Sequence, residues 1–99
     1  MNSNLKKTKK ILPTDAKERK SIPVYTGFIK YFPNAIAAIA KVSLEGGLQH
    51  GQTAETLFWD RDKSKDELDA MMRHVLEEDW AQVGWRAMAN LEKKLEEKS

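Results

Sequence analysis

Apolar residues recur at helical spacing along most of the chain, and this pattern predicts three helices. The first predicted helix spans residues 33–45: Pro33 suits a first helical turn, and Gly46 and Gly47 provide a C-terminal stop. Alanines dominate its middle, so they favour helix and leave room for the backbone of another helix. This helix is therefore expected to pack on several sides.

The second predicted helix begins with a capping box that runs from Ser64 to Glu67. Its apolar positions cluster on one side and form the expected core face: Leu68, Met71, Met72, Val75 and Leu76. A second box starting at Asp79 predicts the third helix. The apolar stripe of that helix is Ala81, Gly84, Trp85, Met88, Leu91 and Leu95.

The segments outside these helices differ in apolar content. Residues 1–14 are lysine-rich with few apolar positions, which predicts a flexible basic arm, and residues 15–99 form the helical domain. Residues 21–33 combine two prolines and a glycine with several aromatics, so an ordered loop packed on the domain is expected. Residues 48–63 form a long loop, and its Phe58 and Trp59 argue for order and function.

The composition of the chain bears on its domain count, disulfides, location and oligomeric state. The chain has 99 residues, a formal net charge of +2 and no cysteine, so one domain without disulfides is expected. It contains neither a long apolar run nor a signal-like start, which predicts a cytoplasmic location (the host cytoplasm if the chain is phage-encoded) and no membrane partner. The helices carry more apolar surface than three short helices can cover, which predicts a homo-oligomer, a dimer or a tetramer.

Six short blocks occur in an order that resembles the N-terminal domain family of the phage dATP/dGTP diphosphohydrolases. These blocks cover roughly residues 15–92 and are Asp15–Pro23, Lys30–Pro33, Val42–His50, Trp59–Ser64, Asp66–His74 and Gly84–Ala89. That family is similar to the all-α, MazG-like nucleotide pyrophosphatases. The resemblance implies an oligomeric hydrolase that splits a purine (deoxy)nucleoside triphosphate into monophosphate and pyrophosphate, with Mg²⁺ or Mn²⁺ held by carboxylates on helices.

The candidate metal ligands are Asp66, Asp69 and Glu78. Asp66 and Asp69 project to one side of the second predicted helix, and hard divalent cations prefer such oxygen ligands. Both also lie near a helix N-terminus, where negative charge is favourable anyway, and Asp69 can pair with Arg73. If those aspartates do not hold the metal, the alternative set is Glu45, Glu78 and Asp79.

Catalytic and ligand-binding roles follow from the same blocks. Besides the two aspartates, His50 and His74 are the catalytic candidates, because each can contact phosphate or orient a water, although a single histidine at a helix edge is often structural. Trp59 offers a surface on which a base can stack, and nearby cations can hold phosphates. The candidate nucleotide-binding residues are Lys20, Lys30, Trp59, Arg61, Lys63 and Arg73.

Two other functions remain open. One is a non-catalytic helical interaction module, which is favoured by the short segment between Leu76 and Trp85 and by its lack of a histidine that the family carries there. The other is a nucleic-acid accessory protein that uses the basic arm. The acidic second and third helices argue against an extended DNA-binding face.

Overall fold

The computed structural model of the chain describes residues 12–62 and 67–98, and this part of the chain is all-α with no strand. Its α-helices are α1 (Ala16–Lys20), α2 (Pro33–Gln49), α3 (Glu67–Leu76) and α4 (Trp80–Lys98). A π-helical turn, Tyr25–Ile29, lies between α1 and α2. Both α2 and α3 pack against α4, so α4 is the central element. The predicted all-α class is confirmed.

The short helix α1 forms where the sequence shows no apolar periodicity. Asp15 caps it, because its carboxylate accepts a hydrogen bond from the Glu18 backbone N–H at 3.0 Å. No residue of α1 is buried, so local capping rather than core packing accounts for the helix. Most of the predicted basic arm, residues 1–11, lies outside the described residues.

The aromatic segment before α2 is ordered, but its prediction as a loop packed on the domain is wrong. It forms the π-helical turn through local bonds, such as the 2.8 Å bond from the Lys30 N–H to the Tyr25 carbonyl. Tyr25, Phe28 and Tyr31 all remain exposed. The aromatic rings contact one another instead, with the Phe28 and Phe32 centroids 5.9 Å apart. Neither α1 nor this turn packs extensively on the other helices.

The C-terminus of α2 corrects the predicted glycine stop. The helix continues through Gly46 and Gly47 to Gln49, and it ends where Gly51 takes a φ of 79°. The N–H of Gln52 bonds the Gly47 carbonyl at 2.9 Å, and the N–H of Gly51 bonds the Leu48 carbonyl at 3.2 Å, which is a Schellman motif. Gly47 is buried and serves packing, because a Cβ there would clash with the Leu57 side chain.

The α3–α4 contact is made by small residues, which corrects the predicted core face of α3. Ala70 and Ala89 are each only 4% exposed, so the two helices approach closely there. The predicted core residues Leu68, Met72 and Leu76 are instead exposed. Met71 and Val75 are half-buried. The predicted capping residues 64–66 lie outside the described residues.

The start of α4 follows the prediction. The Asp79 carboxylate accepts a hydrogen bond from the Gln82 backbone N–H at 3.4 Å, which makes Asp79 the N-cap. One turn later α4 crosses α2 at Gly84, where a Cβ would lie 2.7 Å from the Ile39 side chain. The absence of a side chain at Gly84 therefore allows α2 and α4 to pack closely and brings the end of α2 beside α4.

Candidate functional site

A cavity of ≈ 810 Å³ lies between the C-terminal half of α2, the loop that follows it and the first turns of α4. Gln52 shapes the loop, because its side-chain oxygen accepts the Phe58 backbone N–H at 3.2 Å. The charged, polar and aromatic residues that line the cavity include Glu45, His50, Trp59, Asp60, Glu67, Gln82, Trp85 and Arg86. The cavity thus brings aromatic rings, carboxylates and a guanidinium together.

Two tryptophans form the aromatic part of the wall. The ring centroids of Trp59 and Trp85 are 5.8 Å apart and nearly perpendicular, an edge-to-face arrangement that aromatic pairs favour. The indole N–H of Trp85 donates to the Ser43 hydroxyl on α2 at 2.5 Å. This bond fixes the Trp85 ring relative to α2, so both rings belong to an ordered wall.

Two cations lie over the Trp59 ring. The Arg61 guanidinium carbon is 4.2 Å from the ring centroid and the Lys93 ammonium nitrogen is 6.0 Å from it. Arg61 also donates two bonds to the Glu96 carboxylate, at 2.8 and 2.9 Å, in the paired geometry that guanidinium and carboxylate groups favour. Arg61 is therefore held by Glu96 and stacked on Trp59.

Glu67 is a buried carboxylate at the α3–α4 interface and is 6% exposed. The Lys93 ammonium donates to one of its oxygens at 3.0 Å. Its other oxygen lies 3.9 Å from an Arg86 nitrogen, which is too long for a hydrogen bond. A buried carboxylate is costly without such a cation, so Lys93 is what allows Glu67 to lie in this interface.

Glu92 lies one turn before Glu96 on α4 and has a raised pKa. Burial is the main cause, and a hydrogen bond and charge repulsion from Glu96 raise the pKa further. The Arg61 guanidinium opposes this rise. The folded protein therefore favours the protonated form of Glu92 more than an isolated glutamate does.

The structure places some predicted site residues in the cavity and others elsewhere. His50 and Trp59 line it, as does Glu45 from the alternative metal set. Arg61 is not in the cavity lining but stacks on Trp59, which is. Lys63 and Asp66 lie outside the described residues. The remaining candidates are not in the cavity lining: Lys20, Lys30, Asp69, Arg73, His74 and Glu78.

His74 lies in the last turn of α3, next to the turn that leads to α4. Its Nδ1 is 3.6 Å from a Glu77 oxygen and 3.8 Å from an Asp79 oxygen, and this nitrogen is buried without a hydrogen-bond partner among the described residues. The next residue of that turn, Glu78, has a φ of 57° and is exposed. These contacts link His74 to the N-cap of α4.

Of the three predicted metal ligands, only Asp69 and Glu78 lie in the described part of the chain, since Asp66 is outside it. Asp69 is exposed on α3, and Glu78 is exposed at the turn after it. Within residues 12–62 and 67–98, no three histidine or acidic side chains form a group able to hold a metal ion. Glu45 and Asp60 are nevertheless carboxylates that line the same cavity.

Sequence reasoning did not identify Glu67 and Arg86 as cavity residues. A pattern places Arg86 but not Glu67, because Gln82, Arg86, Ala89 and Lys93 recur at four- and three-residue steps and so share one face of α4. That polar stripe lies beside the apolar stripe, which masks it in an apolar periodicity search. Trp85, a residue of the predicted apolar stripe, bonds Ser43 on α2 and also lines the cavity.

Comparison with known protein families, curated proteins and solved structures finds no match to this chain. In the portion that the structure describes, no helix combines the length and the apolar character needed to cross a membrane.

Proposed function

We propose that this chain hydrolyses a purine (deoxy)nucleoside triphosphate to the monophosphate and pyrophosphate, and that the reaction takes place in the cavity between α2 and α4. The observation that carries the proposal is the pairing of Trp59 and Trp85 in a cavity that also holds carboxylates and a guanidinium. An aromatic wall suits a nucleobase, and the charged groups suit a triphosphate and its metal ion. The order of sequence blocks described above supports the same assignment.

The reaction requires water to attack the α-phosphorus while the bond from that phosphorus to the bridging oxygen breaks. Pyrophosphate leaves with the bridging oxygen, and the water gives up a proton. His50 lines the cavity and is exposed, so its imidazole is placed to accept that proton or to contact phosphate. Hydrolysis also needs positive charge near the phosphate oxygens.

Magnesium or manganese would supply part of that charge. Magnesium is commonly held by one or two carboxylates together with substrate phosphates, and Glu45 and Asp60 are carboxylates of the cavity lining that would fill this role. One Asp60 oxygen accepts the Asp62 backbone N–H at 3.0 Å, which orients the carboxylate. We therefore assign the metal to Glu45 and Asp60 rather than to Asp69 and Glu78.

The test is pyrophosphate release from each of the common nucleoside triphosphates, with magnesium and with chelator. We expect turnover of dGTP or dATP that chelator abolishes. Glu45→Gln should remove most of it, because the amide keeps the shape but loses the ligand charge. Glu55→Gln is the matched control, since Glu55 is an exposed glutamate outside the cavity lining. Absence of turnover with every nucleotide and metal contradicts the proposal.

A non-catalytic interaction module is the second candidate. The observation that favours it is the row of exposed apolar side chains on α3, formed by Leu68, Met72 and Leu76. Exposed apolar patches commonly mark contacts with other proteins. An intact fold that self-associates but neither binds nor hydrolyses any nucleotide is the result expected of such a module.

A further inference from the structure

The guanidinium of Arg86 is incompletely satisfied. Its Nε is buried, yet among residues 12–62 and 67–98 it has no hydrogen-bond partner. A Glu67 carboxylate oxygen lies 3.9 Å from another nitrogen of the group, beyond hydrogen-bond range. Buried polar groups in proteins nearly always have a partner, so an unpartnered Arg86 donor requires an explanation.

The Glu67 carboxylate does not accept a hydrogen bond from Arg86, because it is bonded to the Lys93 ammonium instead. The Lys93 ammonium donates to Glu67 at 3.0 Å, and Glu67 is almost fully buried, which restricts its movement towards Arg86. Arg86 in turn lies over the Trp85 ring, with its guanidinium carbon 5.4 Å from the ring centroid. The guanidinium is therefore positioned by Trp85, while its buried Nε has no acceptor among residues 12–62 and 67–98.

Arg61 provides the contrast within the same protein. Two of its nitrogens donate to both oxygens of Glu96, at 2.8 and 2.9 Å, and its guanidinium also stacks on a tryptophan. Both arginines are thus oriented by an aromatic ring, but in this structure only Arg61 has a bidentate carboxylate partner. Arg86 differs further in that it lines the cavity.

We propose that Arg86 is the oxyanion anchor of the cavity and that the group it binds is a phosphate of the nucleotide. This inference rests on the proposed function for the identity of the ligand, whereas the anion site itself rests on the geometry of Arg86. A guanidinium binds phosphate oxygens through paired N–H donors, and Arg86 lines the cavity with 25% of its side chain exposed, so the side chain is accessible to a phosphate there. Free pyrophosphate carries the same chemistry and is the simplest probe.

The direct test observes Arg86 in the wild-type protein. The chain has four arginines, so their Nε–H resonances can be followed by NMR after arginine labelling, and Arg86→Lys assigns the Arg86 signal by its loss. Titration with inorganic pyrophosphate should shift the Arg86 signal and leave that of Arg61, already bonded to Glu96, nearly unchanged. An Arg86 signal that does not move with pyrophosphate or with dGTP overturns the anion site.

Affinity gives a second readout. Arg86→Gln should weaken pyrophosphate binding by about tenfold to a hundredfold, the loss expected for hydrogen bonds to a charged group. Arg19→Gln is the control, because Arg19 is an exposed residue of α1 outside the cavity. Equal affinity in the wild-type and Arg86→Gln proteins contradicts the proposal. If Arg86→Gln does not fold, the wild-type titration decides the question.

The same experiments separate this inference from the proposed function. Pyrophosphate that shifts Arg86 in a protein without turnover supports the anion site and rejects the hydrolase. Turnover of dGTP with an unmoved Arg86 signal supports the hydrolase and rejects the anion site. Binding of dGTP that shifts Arg86, while deoxyguanosine without phosphates does not, identifies the nucleotide phosphates as the bound group.

Discussion

One face of α3 packs on α4 through small and charged residues, whereas the opposite face presents large apolar side chains to solvent. On the inner face, Glu67 and Ala70 are 6% and 4% exposed. On the outer face, Leu68 and Leu76 are 59% and 85% exposed. An amphipathic helix normally buries its apolar face. We infer that the inner face builds the cavity and that the outer face belongs to an interface with another copy.

An amphipathic pattern therefore identifies the apolar face of a helix but not the partner that covers it. The inner face can be polar because Lys93 neutralises Glu67 and because Ala70 and Ala89 allow close approach of the helices. Glu67 thereby lies at the wall of the cavity. The outer face remains available for self-association, which is consistent with the proposed homo-oligomer.

The largest effect on stability is expected from breaking the inner-face ion pair. Glu67→Gln replaces the charge-assisted hydrogen bond from Lys93 with a neutral one and should lower the free energy of unfolding by about 2–3 kcal/mol, as is typical of hydrogen bonds to charged groups. Urea unfolding measures this change. Asp69→Asn, on the exposed side of the same helix, should change stability by less than about 0.5 kcal/mol. If Glu67→Gln and Asp69→Asn lower the free energy of unfolding equally, the inner and outer faces of α3 do not differ as described.

Overpacking the small-residue contact should have the next largest effect. Ala89→Leu inserts a branched side chain between α3 and α4 and should cost about 2 kcal/mol, as is typical of overpacked contacts. Ala87→Leu on the exposed side of α4 is the matched control and should cost less than about 0.5 kcal/mol. If Ala89→Leu leaves the free energy of unfolding unchanged, α3 and α4 are not closely packed at Ala89.

The outer face should affect assembly more than the stability of the single chain. Combining Leu68→Asp with Leu76→Asp should reduce the mass seen by light scattering at micromolar concentration, because charge opposes burial of that face. Leu48→Asp, at an exposed leucine of α2, tests whether any exposed leucine gives the same result. A wild-type protein that is monomeric at this concentration contradicts the interface.

The smallest effect concerns the carboxyl pair on α4. Because the pKa of Glu92 is raised in the folded protein, its favourable contribution is fully present below the unfolded pKa and is lost as pH rises through the folded pKa. Glu92→Gln should therefore stabilise the protein slightly at neutral pH and change little in acid. Stability curves of both proteins against pH measure the difference, and a variant that is less stable at neutral pH contradicts the assignment.

Helix existence and the all-α class could be predicted from local signals, which depend on neighbouring residues. The Asp79 cap is one example, because its hydrogen bond to the Gln82 backbone N–H spans only three residues. The end of α2 was mispredicted because Gly46 and Gly47 permit a stop without requiring one. Gly47 is needed for contact with Leu57, a loop residue that no local pattern connects to it.

The candidate site was less predictable because long-range packing assembles it. His50 and Trp59 were identified from loop chemistry, and both line the cavity. Glu67 was interpreted as a capping residue, and Arg86 was identified only as part of a sequence block. Their roles depend on how α3 packs against α4, which the spacing within either helix does not specify.

Nucleotide binding in the cavity between α2 and α4 is tested most directly by locating the bound nucleotide. The chain has three tryptophans, of which Trp59 and Trp85 line the cavity, whereas the exposed Trp80 does not. Titration of the labelled protein with a non-hydrolysable dGTP analogue and magnesium should shift the indole N–H resonances of Trp59 and Trp85 and leave that of Trp80 in place. Shifts confined to Trp80, or no shifts at saturating analogue, would contradict nucleotide binding in this cavity.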